Sequence, residues 1–211
     1  GAEFAVAYSS GTFALHGAAY AAGLRPGDEA ITTPMTFCAT ANCVVYMGAT
    51  PVFADIDART YNIDPSLLEA KITPKTKAIM PVHLSGRVAD MRAIQKFAGR
   101  HSIPVIEDAA QAVGSRLEGR PSGSWGNVGC FSAHPLKNLN ACGDAGFIIT
   151  NDPDVASRIR LIRNHGLANR DTVEEFGRVA RMDAIQAAIL RFRLKTLSRV
   201  AEQRRANAAL Y

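Results

Sequence analysis

Short apolar runs alternate along the chain with longer segments in which apolar residues recur every three or four positions. The runs Ala5–Tyr8, Ala30–Thr33, Pro51–Ala54, Ala78–Val82, Pro104–Ile106, Val128–Phe131 and Phe147–Thr150 contain almost no charge. Runs of this kind predict strands covered on both faces. Between them, helical spacing is expected over Phe13–Ala22, ended by Gly23, over Thr36–Met47, ended by Gly48, and over Asp90–Arg100. Asp64-Pro65 pairs an N-cap with proline at the first helical position and is expected to open a short helix to Lys71. Asn151 or Asp152 caps a helix that has Pro153 near its start and runs to about Arg163. Met182–Tyr211 reads as one long helix, with Ala187, Ile189, Leu190, Leu194, Leu197 and Ala201 on shared turns. The alternation predicts an α/β fold with a mostly parallel central sheet and helices on both faces.

Composition narrows the class without naming a function. With 47% hydrophobic and 20% charged residues over 211 positions, the chain is an ordinary globular one, so disorder and low complexity are excluded. The net charge of +5 is spread along the chain, with no basic tract interleaved with aromatics, and nucleic acid is not an expected partner. No apolar run is long enough to span a bilayer, and no signal peptide is visible, so no membrane role is expected. Cys38, Cys43, Cys130 and Cys142 form no Cys-x-x-Cys pair and are expected as buried free thiols, which points to the cytoplasm. The five histidines lack metal-ligand spacing, so no metal is expected. Gly1 is not an initiator methionine and the last helix has no stop signal. A piece of a larger protein is therefore expected.

In parallel sheets, ligands bind beyond the carboxyl ends of the strands. Three segments with unusual polar residues fall there. Ser10-Gly11-Thr12 lies between a strand and a helix, where free amides and the helix dipole favour a phosphate. Read alone, it is also an ordinary helix cap. Pro104–Gln111 ends a strand in two adjacent acids, Glu107 and Asp108. Neighbours on a strand face opposite ways, so one carboxylate should face the cleft and the other a different environment. The third segment, Ser132–Asn140, holds the only lysine that follows an apolar strand, Lys137. A desolvated lysine has a lowered pKa and attacks carbonyls. Together these are the parts that pyridoxal phosphate needs: a lysine for a Schiff base, an acid for the ring nitrogen, and a helix end for the phosphate. Phe37, near a helix start, is placed to stack on the ring.

The chain resembles the DegT/DnrJ/EryC1/StrS family of sugar aminotransferases, on the fold-type I scaffold. The likeness runs through nearly the whole sequence. It is carried by Ser10-Gly11-Thr12 with Ala14-Leu15-His16, Pro34–Asn42 (PMTFCATAN), Gly48–Phe53, Tyr61–Asp64, Pro81–Leu84, Val105–Ala112 (VIEDAAQA), Ser132–Asn138 and Arg163–Gly166. The resemblance implies roles. Lys137 is the Schiff-base lysine, Asp108 the partner of the pyridine nitrogen, and Gln111 the neighbour of the ring hydroxyl. Gly11, Thr12 and Ser132 are phosphate ligands, and Phe37 is the stacking aromatic. It also implies a homodimer with active sites at the interface, an amino-acid donor (usually glutamate), and a nucleotide-linked keto-sugar as acceptor. Residues 1–181 would be the cofactor-binding large domain without its amino-terminal segment, and 182–211 a helix leading toward a small domain outside this chain. One departure stands out. The family's Gly-x-Asn-x-Arg segment, whose Asn reaches the neighbouring subunit's phosphate, reads Gly177-Arg178-Val179-Ala180-Arg181 here. Three other readings stay open: a degenerate cofactor-binding domain without turnover, a sugar dehydratase on the same scaffold, and a nucleotide-binding oxidoreductase. The last lacks a Gly-x-Gly-x-x-Gly after the first strand.

Overall fold

A computed structural model describes residues 1–211. In chain order the elements are β1 (Phe4–Tyr8), α1 (Gly11–Ala21), β2 (Glu29–Thr32), α2 (Ala39–Val45), β3 (Thr50–Phe53), β4 (Thr76–Ile79), α3 (Met91–His101) and β5 (Ile106–Asp108). They continue with β6 (Arg116–Leu117), β7 (Arg120–Pro121), β8 (Val128–Ser132), β9 (Gly146–Thr150), α4 (Pro153–Ile162), α5 (Ala184–Leu194) and α6 (Leu197–Ala208). Strands β3-β2-β4 pair in parallel, and β5 pairs in parallel with β8. Parallel bridges Ile79–Val105 and Val82–Asp108 join the two groups across β4 and β5. Only β9 runs against its neighbours β8 and β1. The order across the sheet is β3-β2-β4-β5-β8-β9-β1, and the expectation of a mostly parallel sheet holds.

The period-two alternation of strands builds two cores. Ala30, Ala78, Met80 and Ile106 face the layer of α1, α2 and α4, while Ile31, Ile79 and Val105 face α3. Helix α3 shows how the second layer is held. Asp90 caps it by accepting from the Ala93 amide, and Met91, Ile94, Phe97 and Ala98 recur on its buried face. Burying each large side chain is worth roughly 1.5–3 kcal/mol. Asp152, rather than Asn151, caps α4, through the amides of Asp154 and Val155.

Four expectations need correction. The helix expected over Thr36–Met47 is shorter, Ala39–Val45, because Thr36–Cys38 stay outside it, with Thr36 and Phe37 lining the cleft. The helix expected from Pro65 to Lys71 is a single tight turn, Pro65–Leu67. The long helix over Met182–Tyr211 breaks at Lys195-Thr196, where the last amides of α5 bond three residues back and the Thr196 hydroxyl bonds the Arg193 carbonyl. A β-branched side chain bonded to its own preceding turn competes with the helical ladder. Of the cysteines, Cys43 and Cys130 are buried, whereas Cys38 and Cys142 are exposed, and all four are free thiols. The short β6–β7 hairpin had no visible signal, each strand being two residues long.

Candidate active site

The carboxyl ends of β1, β5 and β8 open on a common cavity of about 560 Å³. Gly11, Thr12, Phe37, Asp108, Gln111, Ser132 and Lys137 all line it. The phosphate cradle is made by close packing. Gly146 starts β9 between the ends of β1 and β8, opposite both Tyr8 and Ser132. A side chain there would strike the Ser10 backbone. Gly11 in turn lies over Ser132, and a Cβ on it would come within 2.7 Å of the Ser132 Cβ. Two missing side chains thus let the start of α1 descend onto the sheet edge. The Ser10 hydroxyl accepts from the Phe13 amide at 3.1 Å, while the Gly11 and Thr12 amides have no partner within the chain. Free amides at a helix N-terminus favour an anion.

The two adjacent acids separate as strand geometry requires. Glu107 is fully buried on the α3 side. Its Oε2 bonds His83 Nε2 at 2.8 Å and accepts from the Gly123 amide at 2.7 Å. Its Oε1 accepts from the amides of Trp125 at 2.7 Å and Gly126 at 2.5 Å. His83 Nδ1 accepts from the Ala89 amide, which assigns the ring proton to Nε2, facing Glu107. Glu107 is therefore committed to holding the β5 end to the loop before β8. Asp108 turns the other way, into the cleft. Its Oδ2 accepts from the Thr40 hydroxyl at 2.7 Å and its Oδ1 from the Ala110 amide at 3.1 Å. Burial pushes its carboxyl above the ordinary range, opposed by those two hydrogen bonds and, more weakly, by nearby charge including Lys137.

Lys137 rides on a loop anchored at its base. The Ala133 amide bonds the Ala145 carbonyl and the Ala141 amide bonds the Ala133 carbonyl, both at 2.8 Å. Leu139, Ala141 and Ala145 are buried against Leu190 of α5. The expected desolvation is incomplete within one chain, since Lys137 is half-buried. The loop projects beyond the sheet edge, and its neighbours His134, Pro135 and Leu136 are exposed. Gln111 Oε1 accepts from the Ser85 amide at 2.7 Å, so its NH₂ is left without a protein partner. Phe37 flanks the cavity but is 69% exposed. Val179 does not line the cavity; it is exposed and bridges to Asn164.

Sequence reasoning passed over Thr36 and Thr40, which join the cleft wall to Asp108. Both fall inside the family-like segment Pro34–Asn42, but their link to Asp108 crosses 68 residues and leaves no local pattern.

The residues present fit a phosphorylated, carbonyl-bearing cofactor, because an anion cradle, a carboxylate and an amine share one cavity. The sequence profile of the DegT/DnrJ/EryC1/StrS aminotransferase family matches residues 1–211. The chain belongs to this family. It is 49% identical over 210 residues to the pleiotropic regulatory protein of Geobacillus stearothermophilus, covering 100% of this chain and 56% of that protein. It is 45% identical to the UDP-N-acetyl-3-dehydro-α-D-glucosamine 3-aminotransferase of Acidithiobacillus ferrooxidans, covering 100% of this chain and 57% of that protein. Among solved structures, S. venezuelae DesV in complex with a ketimine intermediate superposes with a TM-score of 0.91 at 43% identity, over 93% of this chain and 53% of that one. The chain thus spans little more than half the length of these relatives. The fold is that of these aminotransferases.

Proposed function

We propose that this chain is the cofactor-binding part of a pyridoxal 5'-phosphate-dependent aminotransferase. The reaction moves an amino group from an amino-acid donor, ordinarily glutamate, to a keto-sugar carried on a nucleotide. The carrying observation is the convergence of Lys137, Asp108 and the amide end of α1 on one cavity. When bound, the cofactor supplies an aldehyde and an electron-accepting ring. The Gly11 and Thr12 amides, with the Ser132 hydroxyl, hold its phosphate. Phe37, at the cavity mouth, would cover one face of the ring, and the Gln111 NH₂ would donate to the ring hydroxyl. Asp108, ionised, keeps a proton on the pyridine nitrogen. Lys137 Nζ would be the nucleophile toward the cofactor's aldehyde and the base that takes the proton from the donor's α-carbon.

A second copy of the chain is the proposed neighbour. Met35 and Phe37 before α2, and Val45 and Tyr46 at its end, each expose large apolar area, and exposed apolar surface of this kind suits an interface. A cytoplasmic location agrees with four unpaired thiols.

The experiment is cofactor addition, borohydride reduction and peptide mapping. Label on Lys137 is expected, with Lys137→Ala abolishing both label and turnover, a loss of roughly a thousandfold or more. Label on another lysine, or none, overturns the proposal.

A further inference from the structure

The cleft wall and the buried acid are connected by a line of hydroxyls. Thr36 Oγ1 lies 2.8 Å from Thr40 Oγ1, which lies 2.7 Å from Asp108 Oδ2. Thr40 is fully buried, and Thr36 lines the cavity together with Phe37. The Thr40 hydroxyl also approaches the Phe37 carbonyl, at the longer distance of 3.2 Å.

A threonine hydroxyl has one proton, so the direction of the line depends on the acid. Ionised Asp108 can only accept, and Thr40 must then donate to it. Thr40 Oγ1 is left as an acceptor, and Thr36 donates to Thr40. Hydroxyls aligned in series strengthen one another. Protonated Asp108 would instead donate to Thr40 and reverse the line, turning the Thr40 proton to the Phe37 carbonyl or to Thr36. The bond from Thr40 to the ionised acid is charge-assisted and the stronger of the two, so this contact favours the ionised form against burial. It also ties the acid to the segment bearing Phe37.

We propose that Thr40, supported by Thr36, is a positioning residue that holds the Asp108 carboxylate ionised and in a fixed orientation toward the cavity, where it would partner the ring nitrogen of the cofactor. The proposal rests on the function given above. The second donor to Asp108, the Ala110 amide, is on the acid's own loop and cannot couple it to the opposite wall. Thr40 alone reaches Asp108 from α2.

The test uses the full chain carrying Thr40→Val, Thr40→Ser and Thr36→Val. Valine keeps the shape and removes the hydroxyl. A hydrogen bond to a charged group sets the expected effect at about 10- to 100-fold weaker cofactor binding for Thr40→Val. A change in the absorbance spectrum of bound cofactor and a lower kcat, with the KM of the amino donor little altered, should accompany it. Thr40→Ser should restore binding to within about threefold. Thr36→Val should weaken it by only a few fold, since it removes the supporting bond. If Thr40→Val does not fold by circular dichroism, the Thr40→Ser and Thr36→Val results decide. Cofactor affinity, spectrum and kcat unchanged in Thr40→Val, or in Thr36→Val where that variant decides, overturn the inference while borohydride still labels Lys137. A wild-type chain that takes no label overturns the function itself, and this role with it.

Discussion

Glu107 and Asp108 are neighbours with the same charge, yet opposite effects are expected when each is neutralised. Glu107→Ala removes the acceptor of four donors: His83 Nε2–H and the amides of Gly123, Trp125 and Gly126. An unsatisfied buried donor costs about 1–3 kcal/mol. Water entering the vacated space restores part of this, because the Gly126 amide is only partly buried. A net loss of about 4–5 kcal/mol is expected, similar to breaking a buried pair on one side. That is a large part of the roughly 5–15 kcal/mol that holds a domain together. For a chain of this size it corresponds to a fall in Tm of roughly 10–20 °C. Glu107→Gln keeps one oxygen and sets an NH₂ against donors, so about half the loss is expected.

Asp108→Asn should behave otherwise. Its folded carboxyl lies above the ordinary range because of burial, so the ionised acid opposes folding of the cofactor-free chain. For such an acid, stability falls as pH rises from the unfolded value through the folded one. Asn removes that charge, and stability should change by less than about 1 kcal/mol or rise, while turnover falls by at least about a hundredfold. Urea denaturation followed by circular dichroism, in parallel with cofactor binding, separates the two. A Glu107→Ala chain within about 1 kcal/mol of wild type, or an Asp108→Asn chain as unstable as Glu107→Ala, would refute the division of roles.

Other expectations follow from single contacts. Gly11→Ala places a methyl 2.7 Å from the Ser132 Cβ, so α1 must lift from the sheet edge; isothermal titration should show cofactor affinity reduced by about tenfold or more. Burial and the charge of Arg178 hold the His16 pKa down to about 4. The unfolded chain therefore gains a proton near pH 6.5 that the folded chain refuses until about pH 4. Stability should fall as pH drops across that window, by at most about 3 kcal/mol, and a His16→Gln chain should show a flatter pH profile in thermal melts. Tyr46 is 54% exposed at the end of α2; Tyr46→Arg should shift sedimentation from dimer to monomer if a second copy covers it, and an unchanged dimer would exclude that surface.

The seven strands of the main sheet were legible in sequence because each is a short apolar run with little polar content, a pattern that depends only on local burial. The alternation of Glu107 and Asp108 was legible for the same reason: successive strand side chains must diverge. The family motifs pointed to Lys137, Asp108 and the start of α1, and the fold brings these to one cavity. What sequence pattern alone did not determine lay between elements. The partners of Glu107 come from residues 16 to 24 positions away, and Thr40 reaches Asp108 across 68. Periodicity records which face a residue occupies, not which neighbour meets it there. The break at Thr196 depended on one hydroxyl finding its own backbone, against a helical pattern that continued past it. Local periodicity therefore determined which residues lie inside and along which edge the polar residues gather. Only the tertiary structure decided how each acid is held, Glu107 by four donors within the fold and Asp108 by Thr40 and the Ala110 amide at the cavity wall, because hydrogen-bond partners distant in sequence become neighbours only when the sheet is assembled.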